Sequence, residues 1–299
     1  MEAIQAGAEE HALLLIRLVC AFWLSALVAP VGAAFELGGG GAYTTSLGGA
    51  FSAGVESAEA VWFNPAAAAR LRTARMTSTH GTIFTSLPES PSVHSASAAW
   101  PASWGTAQVG YSTLRADSWN ESSLLLGLAR VVHPRLALGA QLGTNGWDSG
   151  KFARRHWLGN IGGLYEAGWL TSKSYVRMSF VLANLGSGRV SANGRSTGQR
   201  DRSYTLGMQV VSAERTLLFD AELQEGDWQF RAGYEAKVRD LLKMRFGARV
   251  YSGDTVNRTW HAGMGYEWKK VHFDYAFSHS IDLSTFGATH RFGVGYFWN

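Results

Sequence analysis

From about residue 73 onward, the chain repeats segments of about ten residues in which large apolar side chains alternate with polar or small ones. In the clearest segment, Val271 to Ser278, the odd positions are large and apolar and the even positions are polar or small. Because successive side chains of a strand point to opposite faces, each segment has one apolar and one polar face. Two architectures accept this pattern: a membrane β-barrel with its apolar face in lipid, and a soluble β-sandwich or lipocalin-like barrel with an apolar core.

The alternation predicts about fourteen antiparallel strands, an even number as single-chain bacterial barrels require. They lie near residues 73–84, 92–100, 105–114, 120–132, 135–144, 158–170, 173–184, 203–212, 215–224, 227–238, 242–252, 257–268, 270–279 and 286–298. Every other connection is very short, as at His133-Pro134, whereas Asn145 to Trp157 and Leu185 to Arg202 are long. Short periplasmic turns and longer outer loops are typical of such barrels, so we expect both chain ends in the periplasm.

Composition favours the membrane barrel over the soluble alternative. Charged residues make up only 17% of the chain, and it holds 35 Gly and 12 Trp. Several tryptophans, among them Trp100, Trp228 and Trp260, fall at predicted strand ends, where a membrane–water boundary would hold them. The formal net charge of +4 comes without a Lys/Arg run, so no nucleic-acid partner is expected.

The first 34 residues are interpreted as a cleaved signal peptide. Residues 11–34 are strongly apolar and end in Gly32, Ala33 and Ala34, which places cleavage before Phe35. A retained transmembrane helix is the alternative. Because the single cysteine, Cys20, lies in this segment, the mature chain would contain neither disulfides nor Cys-ligated metals. Export and the barrel pattern together predict the outer membrane of a Gram-negative-type cell, with its lipid as surroundings.

Residues 35–72 do not alternate and are predicted to form an N-terminal plug, with the barrel spanning 73–299. The stretch is Gly-rich at 38–41, and Asn64 followed by Pro65 and alanines favours the start of a helix. A barrel of about fourteen strands is wider than its own side chains can fill, since about eight strands is the limit for that. A segment preceding the first strand is therefore well placed to fold into the lumen.

Three stretches carry a family resemblance: Phe35-Glu36-Leu37, Ser46 to Phe51, and Ala60 to Ala66 with its Asn64-Pro65-Ala66 element. They resemble the start of the FadL-type outer-membrane transporter superfamily, which also includes PorV/PorQ-type secretion proteins. The resemblance implies a fourteen-stranded barrel with an N-terminal plug and passive transport of hydrophobic small molecules such as long-chain fatty acids or hydrocarbons. The short loops resemble the PorV/PorQ-like branch. That branch implies a secretion or assembly component that docks a protein partner, and a sealed structural barrel is a third possibility.

The resemblance also implies a lateral exit where an early strand bends, which here would be Trp100-Pro101 and Gly105 to Gly110. The last strand, Arg291 to Trp298, resembles the carboxy-terminal signal that the barrel-assembly machinery recognises, so that machinery is an expected partner. The arginines of the Arg189 to Arg202 loop could meet phosphate or a partner protein, or form a solvated loop.

Inward-facing charges supply the candidate ligand-binding residues, Arg231, Arg245, Arg249, His261 and Arg291. Arg245 and Arg249 could hold a carboxylate head group bidentately. The alternative is a self-satisfied network that braces the wall against the plug, since buried charges demand partners. No catalytic motif, metal-ligand spacing or phosphate loop is present, so an enzyme, a metal and a cofactor are not expected.

Overall fold

The computed structural model describes residues 39–117, 119–171, 173–186, 202–239, 241–252 and 256–298. The predicted signal peptide, most of the predicted Arg189 to Arg202 loop and residues 35–38 of the predicted plug lie outside the described residues. The strands are β1 (Ala74–Thr82), β2 (Ser92–Ala102), β3 (Gly105–Ala116), β4 (Trp119–His133), β5 (Leu136–Asp148), β6 (Ala153–Thr171), β7 (Ser174–Leu185), β8 (Ser203–Ser212), β9 (Arg215–Gln224), β10 (Asp227–Arg239), β11 (Leu242–Ser252), β12 (Val256–Trp268), β13 (Val271–Ser280) and β14 (Thr289–Trp298). One short helix, α1 (Ala42–Ser46), precedes them, and 3-10 turns lie at Ala58–Trp62, Ala67–Arg70 and Ser284–Phe286.

The fourteen strands form one closed barrel in which each strand pairs antiparallel with its sequence neighbour. β1 and β14 close the ring, with a register running from Ala74 opposite Trp298 to Thr82 opposite His290. The prediction of about fourteen antiparallel strands is therefore confirmed. No helix in the described ranges is long and apolar enough to cross a membrane.

Burial alternates along the strands as a membrane barrel requires. On β8, Ser203 and Thr205 are buried, whereas Tyr204 and Leu206 are exposed. A soluble barrel would bury the large apolar set and expose the polar one. Here the polar set faces the interior, and the outer surface is a belt of exposed Leu, Met, Phe, Tyr and Trp side chains.

The two ends of the barrel differ in their connections. The end that carries Ala74 and Trp298 also carries the very short turns, such as those joining β2 to β3 and β12 to β13. We call it the short-turn end and the other the long-loop end. The predicted loop Asn145 to Trp157 is wrong in extent, because β5 and β6 stay paired out to Asp148 opposite Ala153. A tight turn closes that hairpin, with the Ser149 amide donating to Phe152 O at 2.9 Å.

Two local predictions fail for reasons of backbone geometry. Asn64 does not start an α-helix: only the single 3-10 turn Ala67–Arg70 forms, because Leu71 is already extended and leads into β1. The last strand begins at Thr289 rather than at 286, because Ser284–Phe286 forms a 3-10 turn that ends at Gly287 with φ +82°.

The wall is not interrupted where the resemblance places a lateral exit. β2 and β3 pair without a register shift from Ser92 opposite Arg115 to Ala102 opposite Gly105. Pro101 lies one pair from the turn, where a missing N–H leaves the rest of the ladder intact. The ladder between β6 and β7, by contrast, carries three register shifts.

Candidate functional site

Residues 41–71 lie against the inner face of the barrel and bond to strands on opposite sides of it. Gln108 on β3 donates from Nε2 to Pro65 O at 2.7 Å, and Gln141 on β5 donates from Nε2 to Val61 O at 2.8 Å. Across the lumen, Asp220 on β9 accepts from the backbone amides of residues 51 and 52, each at 3.0 Å. The wall therefore holds this segment through specific bonds to its backbone.

Asn64 is fully buried and links parts of the segment through its side-chain hydrogen bonds. Its Nδ2 donates to Ser52 O at 2.7 Å and to Gly163 O at 3.2 Å, and its Oδ1 accepts from Ala66 N at 2.9 Å. One side chain thus ties two parts of the segment to each other and to β6. A side-chain amide offers two N–H donors and a carbonyl acceptor in a small volume, which explains why asparagine suits this position.

Two glycines form a notch in the wall where this part of the segment docks. Gly139 on β5 and Gly162 on β6 lie directly opposite each other. A Cβ on Gly139 would stand 2.6 Å from Ala66 N, and a Cβ on Gly162 would overlap Asn64 Oδ1 and approach Pro65 Cδ at 3.0 Å. We call this pair the first glycine notch.

A second glycine notch lies across the lumen. Gly233 on β10 and Gly247 on β11 are also directly paired. A Cβ on Gly233 would stand 2.8 Å from Leu47 O, and one on Gly247 would overlap the backbone at Leu47 and Gly48. Both notches let the backbone of the segment approach the strands more closely than any side chain permits.

The carboxylate of Glu59 holds the start of α1. Its Oε2 accepts from Gly41 N at 2.9 Å, Thr44 N at 3.0 Å and Thr44 Oγ1 at 2.6 Å. Complete burial raises the pKa of Glu59, and the hydrogen bonds from Thr44 and Gly41 offset part of that rise. Next to this cap, Arg291 on β14 donates from Nη1 to Gly40 O at 2.8 Å.

Arg245, one of the candidate ligand residues, is committed to a buried ionic cluster. Its Nε donates to Glu235 Oε2 and its Nη1 to Asp274 Oδ1, both at 2.6 Å. Its guanidinium lies 4.2 Å from the ring centroid of Tyr43 in α1. Arg245 is therefore bound beneath the segment and does not line the cavity described below, so the structure does not bring it together with Arg249 there.

A second cluster joins the segment to β9 and β10. Asp220 Oδ1 accepts from Ser52 Oγ at 2.5 Å, and Asp220 Oδ2 lies 3.7 Å from Arg231 Nη1. Arg231 also pairs with Glu222 through Nη2. This cluster therefore contains two carboxylates, Asp220 and Glu222, and one cation, Arg231. The Asp220 carboxylate also bonds the backbone of the segment.

A third cluster, nearer the short-turn end, centres on Glu56 of the segment. Glu56 Oε1 accepts from Arg177 Nη1 at 3.1 Å, and Gln209 Nε2 donates to Glu56 Oε2 at 3.1 Å. Arg177 Nε also lies 3.7 Å from Glu166 Oε1, and Arg75 donates to the Glu56 carbonyl. The network interpretation of the lumen charges agrees with these contacts.

Between the segment and the long-loop end lies a cavity of about 540 Å³ with two unlike sides. The more apolar side is lined by Trp62, Phe63, Leu114, Leu125, Leu158 and Val181, together with the polar side chains of Glu121, Asn145 and Asn160. The charged side is lined by Glu222, Arg231, Arg249, His261 and Arg291. Four of the five candidate ligand residues are thus brought together on one side, and the cavity can take a molecule that is largely apolar.

His261 lines this cavity, and only one of its two ring nitrogens is hydrogen-bonded. Its Nδ1 lies 2.7 Å from Ser278 Oγ, while its Nε2 is buried and has no hydrogen-bond partner in the described part of the chain. A buried polar atom without a partner costs about 1–3 kcal/mol, and a polar atom of a guest would relieve that cost only if the ring turned Nε2 toward the cavity.

Comparison with known proteins identifies a shared architecture. No protein-family model matches the sequence, and no curated protein matches it either. Solved structures do match. A monoaromatic hydrocarbon channel, CymD, superposes with a TM-score of 0.65 at 13% identity, over 88% of this chain and 98% of that one. The Pseudomonas putida toluene transporter TodX gives 0.64 at 11% identity over 89% and 99%. A Pseudomonas aeruginosa FadL homologue gives 0.56 at 11% identity over 89% and 99%.

This chain has their fold. At such identities the likeness establishes the barrel architecture and leaves the function to argument from this chain's own residues. The FadL-type resemblance is supported at the level of fold, and the PorV/PorQ-like branch stays a prediction.

The sequence did not single out the aromatic and glycine residues of the site. Trp119 and Trp147 stack with ring centroids 4.9 Å apart, and Trp119 Nε1 donates to Glu121 Oε1 at 2.8 Å where it lines the cavity. Glycine at inward positions of neighbouring strands was the available signal for the notches. Within the described ranges, no group of three or more His, Cys, Asp or Glu could hold a metal ion.

Replacing Asn64 by Ala is expected to lower the free energy of unfolding by about 2–3 kcal/mol, since buried Ser52 O, Gly163 O and Ala66 N each lose a partner. Urea titration in lipid vesicles, followed by tryptophan fluorescence, measures this change. The control is Asn120→Ala at an exposed position of β4, expected to stay within about 0.5 kcal/mol. Equal effects of the two substitutions would contradict the role given to Asn64.

Proposed function

We propose that this chain is an outer-membrane channel that passes hydrophobic small molecules through its barrel. The observation that carries the proposal is the cavity of about 540 Å³, whose apolar side is built from Leu125, Leu158 and Val181 on strands and from Trp62 of the segment. Leu125 and Leu158 also pack against Val61 and Trp62 of the segment, so the apolar surface is continuous from the wall to the segment. The volume falls within the range of small-molecule pockets.

The functions of two structural neighbours agree with this proposal. CymD is a monoaromatic hydrocarbon channel and TodX is a toluene transporter. A neutral aromatic would rest against the apolar side, with His261 and Arg249 opposite as polar contacts. A molecule with a carboxylate would be attracted more strongly by the Arg249 guanidinium, so hydrocarbons and fatty acids both belong to the class that we propose.

Membrane location and export form part of the proposal. The exposed apolar belt suits a bilayer, and we propose that residues 1–34 are removed on export. We also propose that the aromatic end of β14, with Tyr296 and Trp298 packed at 5.6 Å between ring centroids, contacts the barrel-assembly machinery. Docking of a secretion-system protein stays a prediction.

A sealed structural barrel is the second candidate, and the three ionic clusters favour it. They attach residues 41–71 to the wall through Glu56, Asp220 and, beneath Tyr43, Arg245. In that case the cavity would be a dead end rather than one stage of a path. Transport and a sealed lumen predict opposite results in an uptake experiment.

Cells of a Gram-negative host that lacks its own hydrophobic-uptake channel are expected to take up labelled toluene severalfold faster when they express this chain. Leu158→Glu should abolish the gain, because it places a charge on the apolar side of the cavity. Leu158→Met, which keeps the volume and polarity of the site, should retain the gain. Uptake equal to that of the empty host, at verified surface levels of the wild-type chain, would sink the transport proposal and favour the sealed barrel.

A further inference from the structure

The outer face of β1 and β2 is unlike the rest of the belt. Met76 and Trp100 carry the belt near the short-turn end, but the outward positions beyond them include Ser78, Ala96 and Ala98. The outward positions of β4, by contrast, are Leu124 and Leu126. Small and hydroxyl side chains gain little from contact with lipid chains. This part of the wall therefore has a chemical character that membrane insertion does not require.

Two histidines face each other in that region. His80 on β1 and His94 on β2 are direct cross-strand partners, and both side chains are exposed on the outer face. Their Nδ1 atoms lie 3.3 Å apart. The ring centroids lie 4.4 Å apart, and the ring planes are tilted by 38°.

The distance between the two Nδ1 atoms matches the distance between two nitrogen ligands of one metal ion. Two imidazole nitrogens bound to one tetrahedral zinc, each at about 2.0–2.1 Å, stand about 3.3 Å from each other. Neutral imidazole is a preferred ligand for Zn²⁺, Cu²⁺ and Ni²⁺. Because both histidines project from paired strands of a closed barrel, the backbone fixes their positions before any ion arrives.

We propose that His80 and His94 form a binding site for a divalent ion of the zinc class on the outer wall. The pair lies close to the long-loop end, since β1 ends at Thr82 and β2 begins at Ser92. An ion there is within reach of the headgroup layer. The chain supplies two ligands, and oxygen atoms complete the coordination, either from water or from the phosphate of a lipid headgroup.

One neighbouring charge modulates the site. On β3, Thr113 lies opposite His94, and Arg115 lies one outward position nearer the long-loop end, opposite Ser92. On the other side, Phe292 of β14 lies opposite His80. The positive charge of Arg115 opposes a divalent ion, so the site should bind Zn²⁺ in the micromolar rather than the nanomolar range.

Zn²⁺ alone is the probe, titrated by equilibrium dialysis into the full, tag-free chain in maltoside micelles. We expect the wild-type chain to bind one Zn²⁺. Each of the variants His80→Asn and His94→Asn should bind Zn²⁺ at least about tenfold more weakly. His133→Asn, which removes an exposed histidine at the end of β4, is the matched control and should bind as the wild type does. Arg115→Gln should bind more tightly, since it removes the opposing charge.

The outcomes separate a metal site from an imidazole pair that merely shares a hydrogen bond. Wild-type binding that survives in both His80→Asn and His94→Asn, or no stoichiometric binding at all, would overturn the proposal. Strand circular dichroism and the heat-dependent gel mobility of each variant verify that the barrel is folded. Repeating the titration in phospholipid nanodiscs identifies the oxygen source: tighter binding there assigns phosphate, and unchanged affinity assigns water.

Discussion

Replacing Arg245 by Met is expected to lower the free energy of unfolding by about 3–5 kcal/mol. Arg245 is 3% exposed and bonds both Glu235 and Asp274 at 2.6 Å. Its removal leaves two carboxylates inside the barrel without their cation, and that desolvation cost is not recovered by any new contact. The same change removes the cation beneath Tyr43, so α1 should also loosen from the wall.

Urea titration in vesicles measures the loss, and Lys243→Met is its matched control. Lys243 is also on β11, but its 4.0 Å contact with Glu267 is substantially exposed, and such pairs contribute about 0–1 kcal/mol. Adding Glu235→Gln and Asp274→Asn to Arg245→Met should restore most of the stability, because it removes the unpaired charges. A single Arg245→Met variant as stable as Lys243→Met would contradict the buried cluster.

Period-two alternation was enough to predict the barrel. Each strand meets lipid on one side and a polar lumen on the other, so the solvent imposes the pattern residue by residue. β8, β9 and β11 begin and end where the sequence predicts. The pattern weakens near the strand ends, where both faces meet water. For that reason, the pairing of β5 and β6 beyond Thr144 was missed.

The lumen could be predicted only in part. Alternation predicts that five side chains point inward: Arg231, Arg245, Arg249, His261 and Arg291. It does not predict which residue on a neighbouring strand or on the segment each of them contacts. The pairing of Arg245 with both Glu235 and Asp274 depends on the packing of α1 and on strand register. Such long-range contacts do not affect the local sequence pattern. The sequence alone therefore does not distinguish a side chain that binds a ligand from one that attaches the segment to the wall.

The Asn64-Pro65-Ala66 element shows which contacts the sequence predicts and which it does not. Asn64 was expected to cap a helix, and its Oδ1 does accept from Ala66 N. The helix does not continue, and the same side chain instead reaches Gly163 O on β6. Gly163, the wall partner of Asn64, is about a hundred residues away in the chain, and the glycines of the notch look, in sequence, like any inward-facing small residues.

The double substitution Gly139→Ala and Gly162→Ala is expected to displace residues 41–71 from the first glycine notch. The two new methyl groups would overlap Asn64 Oδ1 and the backbone at Ala66, and each such overpacking costs about 1–3 kcal/mol. The strands are held by ladders on both sides, whereas at this notch the segment is held mainly through the side-chain bonds of Asn64, so the segment is the part that yields. Once released, it leaves a lumen wider than the wall's own side chains fill.

Ion conductance in planar bilayers should then rise by roughly an order of magnitude, because a fourteen-stranded barrel without its filling is an aqueous pore. Residues 41–71 should also become sensitive to added protease. Gly159→Ala on the same strand, β6, is the matched control, since its Cβ would meet Leu185 O at 3.5 Å, Gln141 O at 3.7 Å and Leu142 Cδ2 at 3.9 Å, all ordinary contacts. If conductance and proteolysis of the double variant matched those of Gly159→Ala, the segment would be shown not to close the lumen, and the plug proposal would fail with it.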